Sequence, residues 1–245
     1  MSRQGQRRVV GILGGMGPEA TVLLMSRVIA LTCAEDDKDH VPMMVDSNTQ
    51  VPSRIRALIE KDGSDPGPIL CEMARRLEAQ GAKALAMPCN TAHHYSSVIK
   101  QAAGIPFIDM VELSVSRVHQ SRRSNQRVGV LGSPAIKLTQ LFDSAFASHE
   151  IETLYPQDQD QMLQAIRLVK KDSTDRTARR IVQAAAEELD GGGAGSLLIA
   201  CSELSMISDA IPPGFEFLDT IEILAEAIIE FSGARCRTNP KDCSG

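Results

Sequence analysis

The chain of 245 residues has no tryptophan, and only 3% of it is aromatic. Its net charge is −5, with lysines and arginines interspersed among the acids rather than gathered into a basic stripe. Nucleic-acid binding by counterion release and base stacking has little to work with here, so no nucleic-acid partner is expected. Apolar runs are short. None reaches the ~20 residues that cross a bilayer, and no membrane partner is expected.

Six cysteines (Cys33, Cys71, Cys89, Cys201, Cys236 and Cys243) are few for this length, and none stands in C-x-x-C spacing. That argues against a zinc site and against a disulfide framework. Cys33 and Cys71 read as small buried hydrophobes of a reduced protein. Cys236 and Cys243 fall in a polar tail, 235–245, that is expected to fray. There is no Gly-x-x-x-x-Gly-Lys phosphate loop, no metal-ligating cluster and no lysine marked out as a Schiff-base anchor. The expectation is therefore no cofactor and no metal. Arg7-Arg8 before Val9-Val10-Gly11-Ile12-Leu13 faintly mimics an export signal, but Gly14-Gly15-Met16-Gly17-Pro18 interrupts the apolar run. The segment reads as a first strand, and the protein as cytoplasmic.

What the chain does contain is alternation. Short apolar runs at 9–13, 43–46, 84–87, 106–108, 128–131, 152–154, 196–200 and 216–218 read as strands. Helical patterns at 18–31, 68–80, 91–102, 113–121, 136–147, 160–170, 175–190 and 221–231 lie between them. Fully apolar strands alternating with amphipathic helices indicate an α/β protein with parallel sheets covered by helices on both faces.

The text also repeats. Val10-Gly-Ile-Leu-Gly-Gly15 returns 118 residues later as Val128-Gly-Val-Leu-Gly-Ser133, and Cys89 and Cys201 lie 112 residues apart. Two matches in the same order at nearly one offset indicate duplication, hence two pseudo-symmetric domains. The expected division is 1–105 with 213–245 for the first and 106–212 for the second, with the last helix free to return to the first.

Cys89 and Cys201 each follow an apolar strand and precede polar groups, Asn90 and Thr91 in one case and Ser202 and Glu203 in the other. A strand end that opens a helix lines the crevice of a parallel α/β sheet, and the helix start would favour a thiolate there. Two equivalent thiols across a cleft suit the transfer of a proton from one face of a carbon to the other. Racemisation needs a base on one face, an acid on the other, and donors for the carboxylate whose charge rises. Asn90, Thr91, Ser202 and nearby N–H groups could serve. Taken singly, each cysteine reads more readily as inert packing; the pairing, with polar groups trailing both, tips the balance.

Gly15-x-Gly17-x-x-Ala20 also fits a dinucleotide fingerprint, with Asp46 placed for a ribose. That leaves an NAD(P)-dependent oxidoreductase as an alternative, and a non-catalytic amino-acid-binding protein as another. The second copy, Gly132-Ser133-Pro134, is explained as well by a tight strand-to-helix turn. Arg54 is either a solvated loop charge or a fork for a substrate carboxylate. Glu203 either accepts from a substrate ammonium or favours its helix start. His93 and His94 read as packing or capping residues.

Four stretches resemble the aspartate/glutamate racemase family, most closely its aspartate racemase branch. They are Gly14-Gly15-Met16-Gly17-Pro18-Glu19-Ala20-Thr21, Asn48-Thr49-Gln50-Val51-Pro52-Ser53-Arg54, Met87-Pro88-Cys89-Asn90-Thr91-Ala92-His93 and Ala200-Cys201-Ser202-Glu203-Leu204. The resemblance implies an active site between the two domains, no cofactor, and a homodimer. It implies Cys89 and Cys201 as the catalytic acid and base, and Arg54 as the recogniser of a distal carboxylate. Lys170 is implied as a substrate holder, alongside Met16, Gly17, Asn48, Thr49, Gln50, Asn90, Thr91, Ser202 and Glu203. The implied substrate is an acidic amino acid, aspartate or glutamate. Ser202 departs from the family's common Thr but keeps the hydroxyl, and Glu203 follows the aspartate branch.

Overall fold

The structure is a computed structural model that describes residues 7–121 and 127–237. It holds two four-stranded parallel sheets. The first contains β1 (Val10–Gly14), β2 (Met43–Ser47), β3 (Ala84–Ala86) and β4 (Phe107–Ile108) in the order β2-β1-β3-β4. The second contains β5 (Arg127–Gly132), β6 (Thr153–Leu154), β7 (Ala194–Ala200) and β8 (Phe217–Asp219) in the order β6-β5-β7-β8. The same order twice is the structural form of the sequence repeat, with β1 matching β5 and β3 matching β7. In each sheet the chain reverses its direction of travel between the first and third strands, the switch point where α/β sheets take ligands.

Side chains alternate across each sheet and fill two apolar layers. On one face of the first sheet, Leu13, Leu85 and Met87 pack with Leu70, Met73 and Leu77 of α2 (Gly67–Ala79). On the other face, Val10, Ile12 and Ala86 pack with Leu24 and Val28 of α1 (Pro18–Leu31) and with Ile221, Leu224 and Ile228 of α10 (Thr220–Ser232). In the second sheet, Leu197 and Ile199 meet α7 (Gln159–Val169) and α8 (Arg176–Gly191). Val128, Val130 and Leu198 meet Val111, Val115 and Val118 of α4 (Met110–Ser121) and the Phe142 and Phe146 rings.

The two halves thus exchange helices. After β4, the edge of the first sheet, α4 crosses to cover the second. After β8, the edge of the second, α10 returns to cover the first.

Eight expected strands are all present, and most helices match within two or three residues. The differences have local causes. The pattern at 136–147 is two helices, α5 (Pro134–Leu138) and α6 (Leu141–Ala147), broken where Gln140 takes φ +53°. The pattern at 91–102 begins as a 3₁₀ turn, Thr91–Tyr95, and becomes α3 only at Ser96–Ala102.

At the two sheet edges β4 pairs with β3 and β8 with β7. Cys33 is not a packed free thiol; it is disulfide-bonded. Of the tail, the described residues Arg235–Arg237 are paired rather than frayed. Cys33 N–H donates to the Arg235 carbonyl at 2.9 Å, Arg237 N–H donates to Leu31, and Thr32 pairs with Cys236. Cys243 lies outside the described residues.

Candidate active site

The two cysteines follow corresponding strands, Cys89 after β3 and Cys201 after β7, and they line one cavity. Met16, Arg54, Thr91, Lys170 and Glu203 line it with them, as do Ser53, Ile55, Ser133 and Ile166. The first half supplies the turn after β1, the segment 53–55 and the Cys89 loop. The second half supplies Ser133, the end of α7, and Cys201 with Glu203 at the start of α9 (Ser202–Ser205). The cavity is about 40 Å³. That is far below the ~300 Å³ at which small-molecule clefts begin, so the site is closed.

The turn after β1 is built for close approach. Gly15 has φ +87°, and a Cβ there would meet the Asn48 backbone at 2.4 Å. Only glycine fits. Thr21 Oγ1 accepts from Gly15 N–H at 2.9 Å and donates to the Gly17 carbonyl at 3.2 Å, locking the turn to the first coil of α1. Gly17 caps α1, and a Cβ there would point at Glu203 Oε1 across the cavity.

Cys201 is buried against a carboxylate. Its Sγ lies 3.1 Å from Glu203 Oε2, while Lys170 Nζ lies 3.4 Å from Glu203 Oε1. Burial, reinforced by the Glu203 charge and hydrogen bond, pushes the Cys201 thiol well above its ordinary pKa. The expectation of a thiolate favoured by the helix start is corrected here. The Glu203 and Leu204 N–H groups do act in that direction, but they are outweighed by desolvation and by a carboxylate in contact.

Arg54 is half engaged with backbone. Its Nη1 donates to the Pro52 carbonyl at 2.9 Å and its Nη2 to the Met16 carbonyl at 3.0 Å. This fixes the guanidinium against the turn that carries Gly17 and leaves part of its fork for a carboxylate.

These features fit a known family, whose Asp/Glu/hydantoin racemase model matches residues 13–228. The chain belongs to this family. It is 26% identical over 227 residues to the broad specificity amino-acid racemase RacX of Bacillus subtilis, covering 90% of this chain and 96% of that one. The Picrophilus torridus aspartate racemase structure superposes with a TM-score of 0.85 at 28% identity, covering 96% and 97% of the two chains. A Bacillus anthracis glutamate racemase, isoform RacE1, shares the fold at TM-score 0.67 and 16% identity, covering 94% and 84%. Membership assigns amino-acid racemisation without pyridoxal phosphate as the activity.

Within this racemase fold the dinucleotide features are engaged elsewhere. Gly15 N–H is held by Thr21, and Asp46 accepts from Arg76 Nε and Nη2 at 3.0 and 2.6 Å. The oxidoreductase reading is not favoured.

Other expected site residues lie beside the cavity rather than on its wall. Asn90 is 2% exposed; its amide donates to Thr220 Oγ1 at 2.9 Å, and its buried Oδ1 has no hydrogen-bond partner among the described residues. Ser202 is equally buried and donates to Glu203 Oε2 at 3.4 Å. Asn48, Thr49 and Gln50 form the loop after β2, where Asn48 Oδ1 accepts from Gln50 N–H at 2.9 Å. Asn48 is the residue against which Gly15 packs, whereas the Thr49 and Gln50 side chains face solvent.

Sequence reasoning missed four wall residues. Ser133 was legible as the repeat counterpart of Gly15. Ile166 stands four before Lys170 and so shares its helix face. Ser53 and Ile55 flank Arg54.

Proposed function

We propose that the protein racemises an acidic amino acid, aspartate by preference, with Cys89 and Cys201 as base and acid on opposite faces of Cα. The observation that carries this is one cavity holding two thiols from corresponding strands of two duplicated sheets. In one direction the Cys89 thiolate removes the Cα proton, and the Cys201 thiol delivers its own proton to the other face. After product release, Cys89 returns its proton to solvent and Cys201 regains one, which resets the pair; the opposite enantiomer uses the reverse protonation form. Glu203 and Lys170 flank Cys201, with Glu203 available to the substrate ammonium. Thr91 and Ser133 offer hydroxyls to the α-carboxylate, and Arg54 offers the rest of its fork to a distal carboxylate.

One point favours aspartate over glutamate: Glu203 matches the aspartate branch. The same reading takes the molecule as one unit on β1–β4, to which α10 returns, a second on β5–β8, and a homodimer as the working assembly.

Incubation with L- or D-aspartate in heavy water tests the function. Circular dichroism is expected to decay to zero while mass spectrometry finds one deuterium at Cα. Decay with glutamate but not aspartate would overturn the preference. No exchange with either would overturn the assignment of acidic substrates.

A further inference from the structure

Four residues after each cysteine, a buried polar side chain reaches back to that cysteine's own carbonyl. After Cys89 it is His93, whose Nδ1 lies 2.8 Å from the Cys89 carbonyl oxygen. After Cys201 it is Ser205, whose hydroxyl lies 3.3 Å from the Cys201 carbonyl oxygen. They are 2% and 4% exposed.

Each also reaches the start of the helix that crosses between the halves. Met110 N–H, at the start of α4, donates to His93 Nε2 at 3.2 Å. Beside it, the Asp109 carboxylate caps α4 by accepting from the Val111 N–H at 3.0 Å. In the second half, Ser205 donates to Asp219 Oδ1 at 2.8 Å, and Asp219 caps α10 through the Ile221 N–H at 2.8 Å.

The parallel is close but chemically unequal. Because Nε2 accepts from a backbone N–H, the His93 proton sits on Nδ1 and is donated to the Cys89 carbonyl. Burial lowers the His93 pKa and keeps the ring neutral. Ser205 has one proton, drawn mainly to Asp219, with the Cys201 carbonyl at the longer distance.

We propose that His93 and Ser205 are positioning residues, each tying the backbone of one catalytic cysteine to the helix that crosses to the opposite half. Closure of the two halves then seats both sulfurs together, because α4 and α10 carry the movement to each loop. This rests on the two-cysteine reading of the reaction.

The variants His93→Asn, His93→Gln, Ser205→Ala and Ser205→Thr test it in the full chain. Asn keeps a donor near the Nδ1 position and Gln an acceptor near Nε2, so each breaks one arm of the His93 link. Two readouts are taken: steady-state racemisation, and iodoacetamide alkylation of each cysteine followed by peptide mass spectrometry. Both His93 variants are expected to lower kcat about tenfold with KM within about twofold, the size of a sub-ångström misplacement. Both should change the alkylation rate of Cys89 by about threefold or more and leave Cys201 alone. Ser205→Ala should do the mirror image to Cys201, and Ser205→Thr should restore it.

Wild-type alkylation of both cysteines, or equal changes at both, would overturn the proposal. Ser205→Ala removes a single oxygen, so the test stands even if a His93 variant fails to fold. Failure of the two-cysteine reading is separable, since alkylation needs no turnover.

Discussion

Cys201 stands at the start of a helix, an arrangement that ordinarily favours thiolate, and yet burial, with Glu203 at 3.1 Å reinforcing it, pushes its thiol well up. A buried carboxylate in contact outweighs two backbone N–H groups, because the thiol gives up a proton only by placing two negative charges side by side. Replacing Glu203 by Gln keeps the shape and removes that charge. The pH midpoint for alkylation of Cys201 is then expected to move down; an unmoved midpoint would contradict the account.

At this scale the sequence was legible where residue type and repeat position agreed. Cys89, Cys201, Arg54, Lys170 and Glu203 all come to one cavity. It was less legible where a side chain's direction depends on burial. Asn90 and Ser202 carry plausible donors but are turned into the packing beneath the cavity. Nothing in their spacing signals that turn.

Elements were the most legible level, because strands buried on both faces must be apolar throughout and so stand out as runs. The short edge strands β4 and β8 were found as strands, but the neighbours they pair with were not. Two or three residues carry no record of which neighbour they pair with. The break at Gln140 was hidden because apolar residues continue across it.

The caps at element starts have a measurable consequence. Burial pushes the Asp219 carboxyl up to about 6, above its ordinary value. Folding therefore favours the protonated acid. This contribution is complete below pH ~4 and is lost as pH rises through about 6. Two units correspond to up to about 3 kcal/mol. Denaturant unfolding of Asp219→Asn should lack that decline between pH 4 and 7, and an unchanged slope would show that another group is responsible.

For the whole molecule, the two halves are tied by ion pairing as well as by helix exchange. Arg167 on α7 pairs with Glu60 of the first half at 3.0 Å. Both side chains are partly exposed, so the pair adds less than ~1 kcal/mol to stability. Arg167→Ala should therefore shift Tm by no more than about 2–4 °C. It should still raise KM several-fold, as the closed form becomes less favoured over the open one. An unchanged KM would remove the pair from the closing motion.

The exchange of α4 and α10 between halves was only partly readable. The return of the last helix was expected from its place after the last strand, whereas the outward crossing of α4 was not.

The central claim is that two thiols serve opposite faces of one carbon, and single replacements test it most directly. Cys89→Ser and Cys201→Ser are each compared with the unaltered protein, using L- and D-aspartate in heavy water. Racemisation is expected to fall by about 10²–10⁴-fold in both. Residual Cα exchange should survive for one enantiomer in the first variant and for the other enantiomer in the second. Racemisation at the unaltered rate by either variant, or exchange of the same enantiomer by both, would contradict the account.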